Sequence, residues 1–184
     1  MESQQTQSIA IFNTTLALKG IKSYLFQILF IGLAVALPAV AHLTNAPVRY
    51  LLPMHWTILL AGLVYGWRGG AVSGLLSPTV SFLITGMPPA NILMPMTLEL
   101  AAYGCIAGLM RENFKLNPFV SLLTAIIAGR MIYLISALSL GLISTDIFTY
   151  SQSSLFPGFA AAAGQIIILP FIAKWWINKE RETD

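Results

Sequence analysis

Long apolar segments occupy most of this chain, and they limit the folds open to it. Each is about 17–25 residues long, the length at which an α-helix crosses the ~30 Å hydrocarbon core of a bilayer. Charged residues make up only 9% of the 184-residue sequence, whereas soluble globular domains contain about 25%. The sequence therefore predicts an all-α integral membrane protein, with the lipid bilayer as its main surroundings.

Gaps, prolines and polar breaks divide the apolar sequence into six predicted transmembrane helices. They form a compact bundle at residues 19–178, between a polar N-terminal tail at 1–18 and a charged C-terminal tail at 179–184. The second and third spans are short and meet at residues 67–69, so five or seven spans remain open. The six predicted helices cover residues 22–42, 51–67, 69–85, 92–110, 118–142 and 156–177.

The basic residues predict how the bundle is oriented. With a cytoplasmic N-terminus, eight of them fall on the cytoplasmic side and only Arg49 falls outside. Basic residues in short loops are retained in the cytoplasm during insertion, so both termini are expected inside, in the cell membrane. The net charge of +3 is scattered between spans and does not indicate nucleic-acid binding. The eight residues are Lys19, Lys22, Arg68, Arg111, Lys115, Lys174, Lys179 and Arg181.

Glu99 and Arg130 are the two charged residues predicted to lie within spans. A charge near the bilayer centre costs about 2.5–3.5 kcal/mol on insertion scales, so such residues usually face a partner or a cavity. At 1.5 Å per residue, Glu99 lies roughly 10 Å and Arg130 roughly 12 Å below the outer boundary. Two interpretations remain open: an ion pair that fixes two helices, or a ligand site in which Arg130 binds an anionic group and Glu99 orients it.

Other polar side chains are predicted at the same depth. Tyr103 follows Glu99 by four residues and Tyr133 follows Arg130 by three, so each pair shares a helical face. The inner half of the bundle carries few polar side chains, whereas a channel needs polar lining at all depths. The sequence therefore predicts a binding cup that opens outward and is closed below. The other polar residues placed near its wall are His42, His55, Ser77, Ser81 and Gln165.

The two histidines could together hold a metal ion or the metal of a tetrapyrrole. His42 and His55 lie on different spans, and two ligands are fewer than such sites normally use. We therefore predict no metal and no cofactor. The sequence also has no motif for nucleotide hydrolysis or for known intramembrane hydrolysis. Energy for any transport would have to come from another protein.

Five sequence blocks, taken in order, resemble a known family. They are LPMHWTILLAGLVYGWRGGAVSGLLSP (52–78), FLITGMPP (82–89), LELAAYGCIAGLM (98–110), NPFVSLLTAIIAGRMIY (117–133) and PGFAAAAGQIIILP (157–170). Over roughly residues 25–177 the chain resembles the substrate-specific S components of energy-coupling factor (ECF) transporters. Those are small six-span proteins with both termini in the cytoplasm.

The resemblance implies a site for a vitamin- or micronutrient-sized molecule near the extracellular side. It also implies a partner module of one transmembrane coupling protein and two ATPases. The coupling protein docks on the first span of such proteins, and Gly32 and Ala36 are the nearest equivalent of that docking face here. Ligand identity does not carry over, because a shared scaffold can hold different pocket chemistry. An anionic vitamin and a corrinoid or haem-like molecule both remain open. The implied ligand contacts are Glu99, Tyr103, Arg130, Tyr133, His55 and Gln165, followed by His42, Asn91 and Ser81.

Two other functions are alternatives to a non-enzymatic S component. A stand-alone secondary transporter would use Glu99 to take up and release a proton. A membrane-embedded enzyme would use Glu99 and His55 as acid and base. The resemblance favours a substrate-binding subunit that works with a separate energy source.

Overall fold

The computed structural model of the chain describes residues 15–143 and 146–183, and every element in these ranges is a helix. The all-α prediction is confirmed for this part of the chain. Positions 1–14 of the predicted N-terminal tail and residue 184 of the predicted C-terminal tail fall outside it. A 3-10 helix at Phe156–Gly158 precedes the last α-helix. The α-helices are α1 (Gly20–Leu43), α2 (Val48–Leu51), α3 (Pro53–Thr85), α4 (Ala90–Glu112), α5 (Pro118–Ser139), α6 (Ile147–Leu155) and α7 (Phe159–Thr183).

Within the described residues, five helical stretches are long and apolar enough to cross a membrane. The predicted count of six is therefore not confirmed, because the predicted second and third spans both lie within the single stretch Val48–Thr85. The other four predicted spans coincide with α1, α4, α5 and α7 to within a few residues at most ends. The five stretches are Gly20–Leu43, Val48–Thr85, Ala90–Glu112, Pro118–Ser139 and Ile147–Glu182.

Helix α3 reverses direction at Gly66, which has non-helical backbone angles (φ 71°, ψ −170°). Positive φ is accessible to glycine without steric cost. Gly62 and Gly70 both lie against the carbonyl of Gly104. In a straight helix these two glycines, eight residues apart, would be separated by about 12 Å. Residues 53–65 and 67–85 therefore lie side by side and run in opposite directions. The reversal comes one residue before the predicted junction at 67–69.

Glycines bring the backbones of α3 and α4 into direct contact. A methyl group at Gly70 would overlap the backbone of Gly104, and one at Gly74 would overlap Leu100. Gly108 lies in the same way against Gly66. The hydrophobic effect does not drive helices together in lipid. Van der Waals contact between closely spaced backbones supplies the packing energy instead. Close backbone contact at these glycines therefore holds α3 and α4 together.

Glu112, the last residue of α4, holds the reversal in place. Its Oε2 accepts a hydrogen bond from the backbone N–H of Trp67 at 3.3 Å. Its Oε1 lies 3.8 Å from Nη1 of Arg68. A carboxylate at the start of a helix pairs with free N–H groups and with the positive end of the helix dipole. Glu112 therefore stabilises the start of residues 67–85.

Helix α3 is the centre of the bundle. In its most apolar window 67% of residues are buried, compared with 22–39% in the other four stretches. It packs against α1, α4 and α7, and α5 lies between α4 and α7. The outer helices expose many large apolar side chains, including Ile28, Leu83, Ile127 and Phe171. So much exposed apolar surface fits contact with lipid chains rather than with water.

The segment 143–155 joins the predicted fifth and sixth spans. It contains helix α6, which sequence reasoning missed. Asp146 caps this helix, because its Oδ2 accepts the backbone N–H of Thr149 at 2.9 Å. The same hydrogen bond lowers the pKa of the Asp146 carboxyl. The segment is short and rich in serine and threonine, so composition alone indicated a loop.

The glycine contacts generate a stability prediction. Gly104→Ala places a methyl group against the backbone of Gly70, and such overpacking typically costs about 1–3 kcal/mol. We expect a clearly lower midpoint of thermal unfolding for the purified protein in detergent. The matched control is Gly32→Ala, since a methyl group there meets nothing within 4 Å. Its midpoint should stay level or rise, and equal losses in both variants would contradict the packing described.

Candidate functional site

Glu99 and Arg130 form an ion pair between α4 and α5. Arg130 Nη1 lies 2.8 Å from Glu99 Oε1. The Glu99 side chain is 2% exposed and that of Arg130 is 18% exposed. The two side chains therefore meet, as a common depth of the two residues requires. Pairing of this kind lets two charges lie inside a membrane bundle without either being left uncompensated.

Tyr103 completes the environment of the carboxylate. Its hydroxyl donates to the same Oε1 of Glu99 at 2.9 Å, as the four-residue spacing on one helical face predicts. Gly129, the residue before Arg130, lies against the Tyr103 ring, and a methyl group there would overlap it. Glycine at this position lets α5 approach α4 closely enough for Arg130 to reach Glu99.

His55 lies against Tyr103 from the first turn of α3. The centroids of the two rings are 5.3 Å apart with an interplanar angle of 57°. His55 is 3% exposed, and neither ring nitrogen has a hydrogen-bond partner among the described residues. His55, Glu99, Tyr103 and Arg130 are together called the Glu99–Arg130 cluster below.

Gly158, in the 3-10 helix, lies close to the Arg130 guanidinium. A methyl group at Gly158 would lie 2.6 Å from Arg130 Nη2 and 2.9 Å from Leu52 Cδ1. The 3-10 helix and the connection before α3 therefore meet beside the cluster. Sequence reasoning missed Gly158 as a site residue; the Pro157-Gly158 dipeptide was the signal for a turn there.

Tyr133 contacts α6 through its hydroxyl group. Its hydroxyl lies 3.3 Å from the hydroxyl of Tyr150. Tyr133 was predicted as a ligand contact because it follows Arg130 by three residues. Tyr150 is not among the predicted site residues, since it lies in α6, where the composition predicts a loop. The two tyrosines connect α5 to the helix that precedes the 3-10 turn.

Gln165 and Ser81 are buried but do not join the cluster. Gln165 is 2% exposed, and its Nε2 has no hydrogen-bond partner in the part of the chain that the structure describes. It follows Gly164, which lies against the Trp56 ring, so α7 contacts α3 one residue from His55. Ser81 is 3% exposed, and its carbonyl accepts the Thr85 hydroxyl at 2.8 Å. No hydrogen bond joins either side chain to the cluster within the described ranges.

Four other predicted residues lie on the surface. His42, at the end of α1, and Asn91, at the start of α4, are exposed. His42 is exposed and His55 is buried, so the two histidines lie in different surroundings. Across residues 15–143 and 146–183, no three His, Cys, Asp or Glu side chains are grouped so that they could hold a metal ion. Gly32 and Ala36, predicted for partner binding, are exposed on α1.

Comparison with known proteins places most of the chain within a known family. The model of the family described as ECF transporter, substrate-specific component, matches residues 26–178. This range covers more than four fifths of the chain and includes every residue of the Glu99–Arg130 cluster. No curated protein and no solved structure matches the chain.

The cluster generates a ranking of stability losses. Arg130→Gln leaves the buried Glu99 carboxylate without its counter-ion, which typically costs about 3–5 kcal/mol. Tyr103→Phe removes one hydrogen bond to a charged group, which is worth about 1.5–3 kcal/mol. Arg49→Gln is the control, since Arg49 is exposed and surface changes usually stay within about 0.5 kcal/mol. Thermal unfolding in detergent should give the order Arg130→Gln, Tyr103→Phe, Arg49→Gln; an Arg130→Gln midpoint equal to the control would contradict the ion pair.

Proposed function

We propose that this chain, which belongs to the family of ECF transporter substrate-specific components, captures a vitamin-like micronutrient from outside the cell for ATP-driven uptake. Proteins of this family are substrate-binding subunits of membrane transporters and are not enzymes. The observation that carries the proposal is the Glu99–Arg130 cluster. It brings together polar side chains from three helices, including an ion pair whose carboxylate is 2% exposed.

The cluster is the proposed ligand site. An apolar bundle in lipid does not need a carboxylate, a guanidinium, a phenol and an imidazole at one place for packing alone, because intramembrane ionisable groups are costly. The proposed contacts are His55, Glu99, Tyr103 and Arg130, together with Gln165 on α7. Tyr133 would act through Tyr150, which lies 3.3 Å from it. Ser81, His42 and Asn91 stay predictions for the outer part of the site.

The energy source in this proposal is a separate module of one membrane coupling protein and two ATPases. The chain itself has no motif for nucleotide hydrolysis. Gly32 and Ala36 are exposed on α1, and there is open space around Gly32. Small residues on an exposed helix face allow a second helix to approach closely. This face is therefore the proposed contact with the coupling protein.

The alternative functions have less support. Family membership favours a transporter subunit over a membrane-embedded enzyme that uses Glu99 and His55. A proton-coupled secondary transporter would need Glu99 to release and regain a proton in each cycle. Arg130 and Tyr103 both hold the Glu99 carboxylate at hydrogen-bond distance, and this arrangement favours a fixed ion pair.

Isolation of the intact complex tests the proposed function. The wild-type chain, purified in mild detergent from its own cells, should carry a bound small molecule, a second membrane protein and two ATP-binding subunits. Ala36→Leu should lose the protein partners and keep the small molecule, because it adds bulk only to the α1 face. The matched control is Ala163→Leu, an exposed alanine on α7, which should keep both. Isolation of the wild-type chain without partners and without a small molecule would overturn the proposal.

The proposed orientation places both termini in the cytoplasm and the ligand site near the outer face. Asn91 and Asn113 are exposed at opposite ends of α4, so they form a matched pair for cysteine labelling. Cys105 is the only cysteine, and Cys105→Ser therefore provides a background without reactive thiols. In intact cells a membrane-impermeant maleimide should label Asn91→Cys, and it should label Asn113→Cys only after permeabilisation. The reverse pattern would contradict this orientation.

A further inference from the structure

The charges in the Glu99–Arg130 cluster cancel each other. Glu99 Oε1 lies 2.8 Å from Arg130 Nη1 and accepts the Tyr103 hydroxyl at 2.9 Å. Opposite charges at this separation attract strongly where water is excluded, and Glu99 is 2% exposed. The site therefore offers a ligand a neutral pair, not a free cation or a free anion.

An anionic group would fit this arrangement poorly. A carboxylate or phosphate that takes Arg130 Nη1 would leave the buried Glu99 carboxylate beside a second negative charge and without its counter-ion. Arg130 Nη2 lies close to Gly158, so an anionic group there would have to fit beside the 3-10 helix. A cationic group would meet the opposite difficulty, since pairing with Glu99 would place it beside Arg130. Both kinds of charged ligand would add an unbalanced charge beside the Glu99–Arg130 pair.

Two buried side chains carry unpaired polar groups of the kind that bind uncharged molecules. Both ring nitrogens of His55 and Nε2 of Gln165 are buried and lack a hydrogen-bond partner among the described residues. An uncharged imidazole has one N–H donor and one acceptor, and a glutamine amide nitrogen donates two hydrogen bonds. Buried polar groups are normally paired, since leaving them unpaired costs free energy. Carbonyl, amide and hydroxyl groups would pair with them without adding charge.

We infer that the molecule captured at this site carries no net charge and binds through amide, lactam or hydroxyl groups to His55 and Gln165. The inference rests on the proposed function and names the chemical class of its substrate. Arg130 and Glu99 stay paired when it binds, and the pair positions Tyr103 against the His55 ring. This replaces the expectation that Arg130 binds a carboxylate or phosphate of the ligand.

A cycle of charge-neutralising variants tests the inference. The probe is the small molecule released by heat from the purified wild-type protein, and its dissociation constant is measured for Glu99→Gln, Arg130→Gln and the double variant. Each single change leaves one buried charge unbalanced and should weaken binding about tenfold or more, whereas the double variant should stay within about threefold of wild type. If the probe is an anion held by Arg130, Glu99→Gln keeps or improves binding while Arg130→Gln and the double variant lose it. That pattern would overturn the inference.

The histidine contact has its own variants and control. His55→Leu should weaken binding of the same probe about tenfold or more, and His55→Gln, which can still donate and accept hydrogen bonds, should recover part of that loss. His42→Leu is the matched control, since the other histidine is exposed at the end of α1. It should bind as wild type does. Equal binding by His55→Leu and His42→Leu would also overturn the inference.

The charge of the released molecule distinguishes this inference from the proposed function. At pH 7 the molecule should pass through both anion- and cation-exchange resin. Retention on either resin overturns the inference and leaves the proposed function standing. A wild-type protein that carries no small molecule overturns the inference, and one that lacks the partner subunits as well overturns the proposed function. Size-exclusion elution and the unfolding midpoint of each variant show whether it is folded, and the double variant stays informative because its buried charges remain balanced.

Discussion

The buried ion pair between Glu99 and Arg130 sets the arrangement of the later helices. Two charges can lie inside a lipid-embedded bundle only when they compensate each other, so α4 and α5 must meet at this depth. Gly129 makes that approach possible, because any larger residue would overlap the Tyr103 ring. The phenol of Tyr103 and the imidazole of His55 then lie beside the pair. A single electrostatic requirement thus fixes helix packing and the chemistry of the site together.

Glycine contacts provide the rigid support on which this site is built. Gly104 lies against both Gly62 and Gly70, so α4 packs directly on the two opposed halves of α3. The reversal at Gly66 places His55 and residues 67–85 on neighbouring segments of one hairpin. Packing through backbone contacts leaves few ways for the helices to rearrange, because there are no long side chains to adjust. The cluster is therefore held by the least adaptable part of the bundle.

The two surfaces relevant to function are separate. The proposed ligand site lies between α3, α4 and α5, where the side chains are buried, whereas the proposed partner face on α1 carries the exposed residues Gly32 and Ala36. Membership of the family accounts for the scaffold and for the role of the chain as a transporter subunit. The identity of the substrate depends on the pocket, because one scaffold can host different binding chemistry. In this chain a neutral ion pair and the unpaired His55 and Gln165 point to an uncharged molecule.

The sequence by itself determined the membrane setting, the all-α class, most helix positions, the common depth of Glu99 and Arg130, and the Tyr103 contact. Each of these depends on hydropathy along the chain or on the spacing of residues along one helix, which are local properties. Only the tertiary structure decided that residues 53–65 and 67–85 form one reversed element, that Tyr133 faces Tyr150, and that His55 rather than His42 lies beside Tyr103. These facts depend on which faces of different helices meet. Which faces meet depends on how well the side-chain surfaces of two helices fit together. The spacing of residues along one helix does not determine that fit.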